Sequence, residues 1–189
     1  MAGPSGPRGP NTDKIRDRNK ASVRRVLEAF NTGNLRLIDE AIHPDLRDYT
    51  PGIRSSPNRR GVQMQVEIFR SQFPDVHFKE EYTIAEGDMV FLRWEMTGTH
   101  RGKLLGREGT GRKITHHGHE ILRLDKDGRI IEHTDSFNVV TFLDKLGLMD
   151  AEMLTRLRQS QILSGEAVID TEYALADKSL LAADATFAA

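Results

Sequence analysis

The sequence predicts one small α+β domain, centred on residues 20–150, in which helices wrap a curved antiparallel sheet. Up to residue 74, apolar side chains recur at helical spacing, whereas from residue 76 to residue 138 apolar and polar side chains alternate with the period of a strand. A chain of 189 residues suits one such core with appendages better than two complete domains. We therefore expect a single domain over residues 14–150.

The chain begins with a Pro- and Gly-rich segment that is followed by a helix. Residues 1–13 hold almost no apolar side chains to offset the entropy of ordering, which predicts a disordered tail. From Lys14 the helical spacing begins, and Gly33 is placed to end this first helix. The apolar positions that define the helix are Ile15, Val23, Val26, Leu27 and Phe30.

Two shorter helices and a loop follow. Residues 35–42 are predicted to form a short helix that Pro44 stops. Residues 45–60 contain prolines, a glycine and paired arginines without a sustained period, which indicates a loop over the mouth of a pocket. Residues 61–73 show helical spacing again, and Pro74 ends this third helix.

The second half of the domain is predicted to be an antiparallel meander. Its four expected strands are residues 76–85, 89–100, 113–125 and 129–138, separated by turns rich in Gly and Asp. Since the helices come first and the strands follow, the helices are expected on one face of the sheet. A further helix is predicted at residues 151–163. Residues 151–189 are expected to form a C-terminal helical extension or a tail, and a packed helix, an arm exchanged in an oligomer and disorder all stay open.

The composition excludes several functional classes. The 27 basic residues nearly balance the 28 acidic ones and are interleaved with them, which argues against a nucleic-acid partner. The absence of cysteine excludes disulfides, thiolate nucleophiles and cysteine-ligated metals. No apolar run approaches the length of a membrane span, and the N-terminus lacks a secretory signal. The sequence thus predicts a cytoplasmic protein without a membrane partner.

Strand alternation places five ionisable side chains on otherwise apolar rows. Their rows are the even positions of strands 89–100 and 113–125 and the odd positions of strand 129–138. The five side chains are His100, His116, Glu120, His133 and Asp135. If the three rows line one concave surface, these groups converge in a pocket. Ionisable groups in an apolar pocket are paired, shifted in pKa or used in chemistry.

Two further patterns in the sequence bear on ligand binding. His116, His117 and His119 suggest a metal site, but neighbouring residues of a strand face opposite ways, so no metal site is predicted. Aromatic side chains are spaced to line a flat aromatic ligand, although the same spacing is typical of a core. The predicted substrate-binding residues are Tyr49, Phe69, Phe73, Trp94, His116 and Phe137.

Three stretches of the sequence resemble one protein family. They are residues 30–34 with 41–45, residues 98–102 with 105–106, and residues 127–135 with 146–147. These stretches are similar to the SnoaL-like polyketide cyclases, which lie in the nuclear transport factor two-like superfamily of cone-shaped α+β folds. The resemblance covers residues 20–150 and implies a cone with the helices packed on its concave face.

The resemblance implies a cofactor-free intramolecular aldol ring closure on an aromatic polyketide ester in secondary metabolism. It also implies a homodimer or higher homo-oligomer and places the general acid and base at Asp135. Glu120 departs from the family pattern, because a cavity histidine is expected at its position.

The residues themselves suggest how the rest of the site would act. His133 or His100 would hold the developing oxyanion, and Glu120 would orient a histidine or share proton transfer. Three alternatives remain open: an epoxide hydrolase or epoxide-opening cyclase, an isomerase, and a non-catalytic protein that binds a small apolar or aromatic metabolite.

Overall fold

The computed structural model describes residues 10–50 and 56–150, with side chains from residue 12 onward. The predicted C-terminal extension, residues 151–189, therefore lies outside the described residues. The predicted tail lies outside them too, except for its last residues. Those residues belong to the first helix, which begins at Pro10 rather than at Lys14. Proline is tolerated in the first turn of a helix because the amide hydrogens there lack intrahelical partners.

The described residues form helices and strands in the order that the sequence predicts, with two additional elements. In chain order they are α1 (Pro10–Thr32), α2 (Arg36–Ala41), β1 (Ile42–Asp48), α3 (Arg59–Gln72), β2 (His77–Glu86), β3 (Met89–Thr99), β4 (Lys113–Leu124), β5 (Ile130–Phe137) and α4 (Val139–Leu146). The helices and the sheet share one apolar core. The predicted α+β class is confirmed.

Strand β1 is an element that the sequence did not predict. Residues 42–48 were assigned to the end of a helix and to a loop, but they pair in parallel with β5 at one edge of the sheet. The strand order is β1-β5-β4-β3-β2, so the sheet is mixed and does not close into a barrel, which corrects the purely antiparallel prediction. Pro44 lies within β1, and an edge strand tolerates proline because one side of it needs no amide donor.

The register of β5 also departs from simple alternation. The buried rows of β3 and β4 are the predicted even positions. At the start of β5, a register shift against β4 places Ile130 in the core at 1 % exposure, where alternation predicted Ile131. His133, Asp135 and Phe137 stay on the predicted row, so the shift leaves the site residues where the sequence placed them.

Helix α4 is the second element that the sequence did not predict. Asn138 caps its start by accepting a hydrogen bond from the amide of Thr141, and Gly147 ends it with a φ of 72°. The sequence placed the next helix beyond residue 150 because this eight-residue segment opens with β-branched residues, which are weak helix formers. Phe142 is buried, and its ring lies 5.3 Å from that of His116.

Trp94, the only tryptophan of the chain, lies across Gly118 on the neighbouring strand. A Cβ atom at position 118 would lie 2.2 Å from Cζ2 of the indole ring, so only glycine leaves room for it. The ring cannot easily move, since its centroid lies 5.3 Å from that of Phe78 and 6.2 Å from that of Phe137. Gly118 therefore fixes the position of the tryptophan in the sheet face.

Gly118→Ala should lower the free energy of unfolding by about 1–3 kcal/mol, because the added methyl group overpacks the indole. Urea unfolding followed by the fluorescence of Trp94 measures this. The control is Thr115→Ala, at an exposed position of the same strand, which should change stability by less than about 0.5 kcal/mol. Equal stability of Gly118→Ala and the parent would contradict this packing.

Candidate active site

A pocket opens between the sheet and the helices α1 and α3. It encloses about 800 Å³ of empty space, its open mouth included, and its walls are mostly aliphatic and aromatic. Among the described residues, four ionisable side chains line it: His116, Glu120, His133 and Asp135. Phe69, Trp94 and Phe137 line it as well, so seven of the ten predicted site residues meet in this pocket.

The other three predicted residues lie elsewhere. His100 is fully buried beyond the end of β3, where its Nδ1 lies 3.2 Å from the amide nitrogen of Thr110 and its ring packs 5.5 Å from that of Phe73. Burial lowers the pKa of His100. Leu92 lies opposite Glu120 in the sheet, and His100 follows Leu92 by eight residue steps along the chain. At the rise of a strand, this separates His100 from the carboxylates by roughly 26 Å.

The predicted convergence of His100 with the carboxylates is therefore corrected. Alternation was extended to residue 100, past the end of β3 at Thr99, so burial was mistaken for a place in the pocket. Phe73 belongs to the core beside His100. Tyr49 is 59 % exposed, and its backbone amide donates a hydrogen bond to the carbonyl of His133. Roles in catalysis or substrate binding for these three residues stay predictions.

Asp48, at the end of β1, completes the polar cluster and was missed by the sequence analysis. Its side chain is fully buried, and its Oδ1 lies 3.0 Å from Nδ1 of His133. The same oxygen accepts a hydrogen bond from the amide of Thr50, and the hydroxyl of Thr50 accepts one from the amide of Asp135. The sequence offered only a faint signal, namely that Ile42, Leu46 and Asp48 share the period of a strand.

His133 lies between two carboxylates. Its Nε2 lies 3.7 Å from Oε2 of Glu120, on the side opposite Asp48. Burial alone would lower the pKa of His133, but its contacts with Asp48 and Glu120 outweigh this effect and raise the pKa to about 10. The ring is therefore an imidazolium at neutral pH, and its two N–H groups point to different carboxylates.

Asp135 lies directly opposite Glu120 in the antiparallel pair of β4 and β5. Burial and the charge of Glu120 raise the pKa of Asp135 to about 7, against the opposing effect of the His133 cation. Its Oδ1 is buried and has no hydrogen-bond partner among the described residues. A carboxyl group that titrates near neutrality can both accept and return a proton.

His116 and Trp94 form a second polar region of the pocket. The ring of His116 packs edge-on against Phe137 and Phe142, and burial together with the charge of Lys145 lowers its pKa, so it is neutral at pH 7. Neither Nε2 of His116 nor Nε1 of Trp94 has a hydrogen-bond partner in the described part of the chain. His116 lies four residues from Glu120 along β4, which is roughly 13 Å. A ligand with polar groups at both ends matches this spacing.

The group best suited to hold a metal lies outside the pocket, among the residues that the structure describes. It consists of Glu81, Glu95 and His117. Arg93 already pairs with Glu81 at 2.7 Å, and His117 lies 3.4 Å from the same carboxylate. In the described ranges, no helix is both long and apolar enough to span a membrane.

Comparisons with known proteins agree on one family. A family model described as SnoaL-like polyketide cyclase matches residues 20–146. The aklanonic acid methyl ester cyclase AcmA of Streptomyces galilaeus is 32% identical over 119 residues, which are 61% of this chain and 81% of that protein. The nogalonic acid methyl ester cyclase of Streptomyces nogalater is 32% identical over 114 residues, which are 58% of this chain and 83% of that protein.

Solved structures show the same fold. IdmH from Streptomyces antibioticus is 30% identical with a TM-score of 0.61, over 68% of this chain and 98% of that one. AclR from Streptomyces galilaeus, a proposed hydroxylase, is 30% identical with a TM-score of 0.60, over 71% of this chain and 99% of that one. Similar folds thus carry different proposed reactions, so the reaction has to be argued from the site.

Asp135→Asn should stabilise the protein at pH 8. The pKa of Asp135 is about 7 in the folded protein, against 3.8 for an ordinary aspartate. The stability that this raised pKa contributes is therefore fully present below pH 3.8 and is lost as the pH rises to about 7. Removing the buried charge should raise the free energy of unfolding at pH 8 by about 1 kcal/mol or more.

The comparison is made by thermal unfolding at pH 4 and pH 8. The gain should disappear at pH 4, where the native carboxyl group is protonated. Thr134→Ala, at an exposed position of β5, should show no pH-dependent difference from the parent. A variant that is less stable than the parent at pH 8 would argue against a raised pKa of Asp135.

Proposed function

Because the chain belongs to the SnoaL-like polyketide cyclase family, whose model matches residues 20–146, we propose that it closes a ring in an aromatic polyketide ester by intramolecular aldol addition. The family and the enzyme class predicted from the sequence are both confirmed by this match and by relatives named as cyclases. The observation that carries the proposed mechanism is a buried carboxyl group, Asp135, with a pKa of about 7 in an otherwise largely apolar pocket.

The first step is removal of a proton from a methylene group next to a carbonyl. Ionised Asp135 accepts this proton through Oδ1, which makes no hydrogen bond within the described residues. The enolate carbon then attacks a ketone carbon of the same molecule, and a carbon–carbon bond forms as the ketone becomes an alkoxide. Protonated Asp135 returns its proton to the alkoxide, so the product is an isomer of the substrate.

His133 is placed to stabilise the negative charge that develops on oxygen in both steps. Its Nδ1 is engaged by Asp48 at 3.0 Å, whereas its Nε2 is 3.7 Å from Glu120, too far for a short hydrogen bond. A substrate oxygen in the pocket can therefore compete with Glu120 for the Nε2–H group. Glu120 acts through its charge, which helps to hold the proton of Asp135 near neutral pH.

The walls and the far end of the pocket favour a flat, neutral, polycyclic substrate. Phe69, Trp94 and Phe137 offer aromatic surface, and neutral His116 offers a hydrogen-bonding nitrogen at the far end. The pocket promotes ring closure by holding the two reacting carbons close together. This lowers the entropic part of the activation barrier. Relatives named as methyl ester cyclases support an ester, since an ionised carboxylate would meet the charges of Glu120 and Asp135.

Asp135→Asn should slow ring closure roughly 10²–10⁴-fold, which is the usual contribution of a general acid and base. The assay follows aklanonic acid methyl ester by mass spectrometry and absorbance. The parent should give a product of unchanged mass. Asp127→Asn, the same change in an exposed turn, should keep the parent rate. Product that has gained water or oxygen, or full activity of Asp135→Asn, would reject the aldol mechanism.

The value of kcat/KM should rise with pH through about 7 and fall again near 10. The lower limb reports ionisation of Asp135, and the upper limb reports loss of the imidazolium of His133. Initial rates between pH 5 and pH 10.5 give this profile. The residual activity of Asp135→Asn should no longer rise through pH 7. A parent whose kcat/KM rises through about pH 4 instead would exclude Asp135 as a base with a raised pKa.

A further inference from the structure

Asp48, the last residue of β1, and the two residues that follow it attach β1 to the segment of β5 that holds His133 and Asp135. The carboxylate of Asp48 contacts the ring of His133. The amide of Tyr49 donates a hydrogen bond to the carbonyl of His133, and the hydroxyl of Thr50 accepts one from the amide of Asp135. None of these three residues is one of the proposed proton-transfer groups. The end of β1 is therefore organised around two residues of β5.

We infer that Asp48 is a positioning residue, which orients the imidazolium of His133 so that its Nε2–H faces the reacting oxygen of the substrate. This inference rests on the proposed cyclase function of the same pocket. Asp48 itself is not among the residues that line the pocket, so its side chain is not placed to contact a substrate there. It acts only through His133, as the carboxylate of a catalytic triad acts through its histidine.

The geometry supports a positioning role. Asp48 and His133 are register partners in the parallel pair of β1 and β5, so the backbone itself fixes the carboxylate beside the ring. The amide of Thr50 donates a hydrogen bond of 3.0 Å to Oδ1 of Asp48, which fixes the orientation of the carboxylate. With Nδ1 held in this way, rotation of the imidazole ring about its Cβ–Cγ bond is restricted. Nε2 is then directed to the side on which Glu120, a residue of the pocket wall, lies 3.7 Å away.

The cost of burying Asp48 also points to a function. Its side chain is fully buried, and its Oδ2 has no hydrogen-bond partner among the described residues. A buried ion pair of this kind is seldom more stable than apolar side chains of the same volume. If position 48 served only for packing, a leucine would fill it equally well. The carboxylate is therefore explained by its contact with His133.

The charged surroundings of His133 determine how Asp48 should be tested. Glu120 faces the ring from β4, Asp135 lies near it on β5, and Asp48 faces it from β1. The pocket walls contributed by α1, α3 and β3 present no ionisable side chain. Loss of the Asp48 charge leaves His133 with Glu120 as its only ion-pair partner in the described structure, so the pKa of His133 must fall.

The experiment compares the parent with Asp48→Asn and with a matched control, Asp45→Asn, which alters a carboxylate on the exposed side of the same strand. Two properties are measured on folded protein. One is the titration midpoint of His133, from ¹⁵N chemical shifts of its ring nitrogens. The other is the pH profile of kcat with aklanonic acid methyl ester.

For Asp48→Asn we expect a kcat at least about tenfold lower, with KM little changed, and an upper pH limb that moves to lower pH. The ¹⁵N midpoint of His133 should fall with it. Asp45→Asn should match the parent in both properties. If kcat and the upper limb of Asp48→Asn equal those of the parent, the positioning role is overturned, even where the ¹⁵N midpoint falls.

The ¹⁵N titration keeps this inference separate from the proposed function. If the parent does not cyclise the ester but the midpoint of His133 falls in Asp48→Asn, the proposed reaction fails while the contact that defines the positioning residue stands. If Asp48→Asn does not fold, the parent alone decides. Its His133 should carry protons on both ring nitrogens at pH 8, and a neutral ring at that pH would overturn the inference.

Discussion

Three carboxylates surround one imidazolium on the apolar face of this sheet, and both the fold and the proposed chemistry depend on how these charges are balanced. Asp48 and Glu120 face opposite nitrogens of His133, which leaves Asp135 without a cation of its own. Because the pocket walls are apolar, the charge of Asp135 is poorly solvated, and its pKa rises to about 7. The arrangement thus gives one carboxyl group the properties of an acid and base near neutral pH.

The mixed topology of the sheet is what assembles this cluster. Glu120 and Asp135 are brought together by antiparallel pairing of β4 with β5, whereas Asp48 reaches His133 only because β1 joins the same strand in parallel. The helices α1 and α3 then cover the cluster with apolar side chains. Many of the apolar side chains that line the pocket also belong to the core, so packing and the raised pKa of Asp135 have one physical origin.

Alternation in the sequence was sufficient to identify most of the pocket. It placed Glu120, His133 and Asp135 on one face because a period of two is strongly imposed wherever one side of a sheet is buried. It failed for His100, where burial continues past the end of the strand, and for Ile131, where a register shift moves Ile130 into the core instead. Neither event leaves a clear mark in a single sequence.

Asp48 was not predictable in the same way. A proline, only two well-buried aliphatic side chains and a preceding helix made its strand resemble a loop, and its parallel pairing depends on residues far away in the chain. Helix α4 was missed for a similar reason, since packing against β4 rather than intrinsic propensity stabilises it. The resemblance to SnoaL-like polyketide cyclases implied Asp135 as the acid and base, but it gave no indication of the residues around it.

The proposed mechanism depends on the apolar pocket and its neighbouring charges, which raise the pKa of Asp135 to about 7. The most direct measurement is a titration of the side-chain carboxyl carbons by ¹³C nuclear magnetic resonance, with Asp135→Asn used to assign the resonance. The account predicts that the Asp135 carbon titrates near pH 7. A midpoint near 4, as in an exposed aspartate, would contradict it.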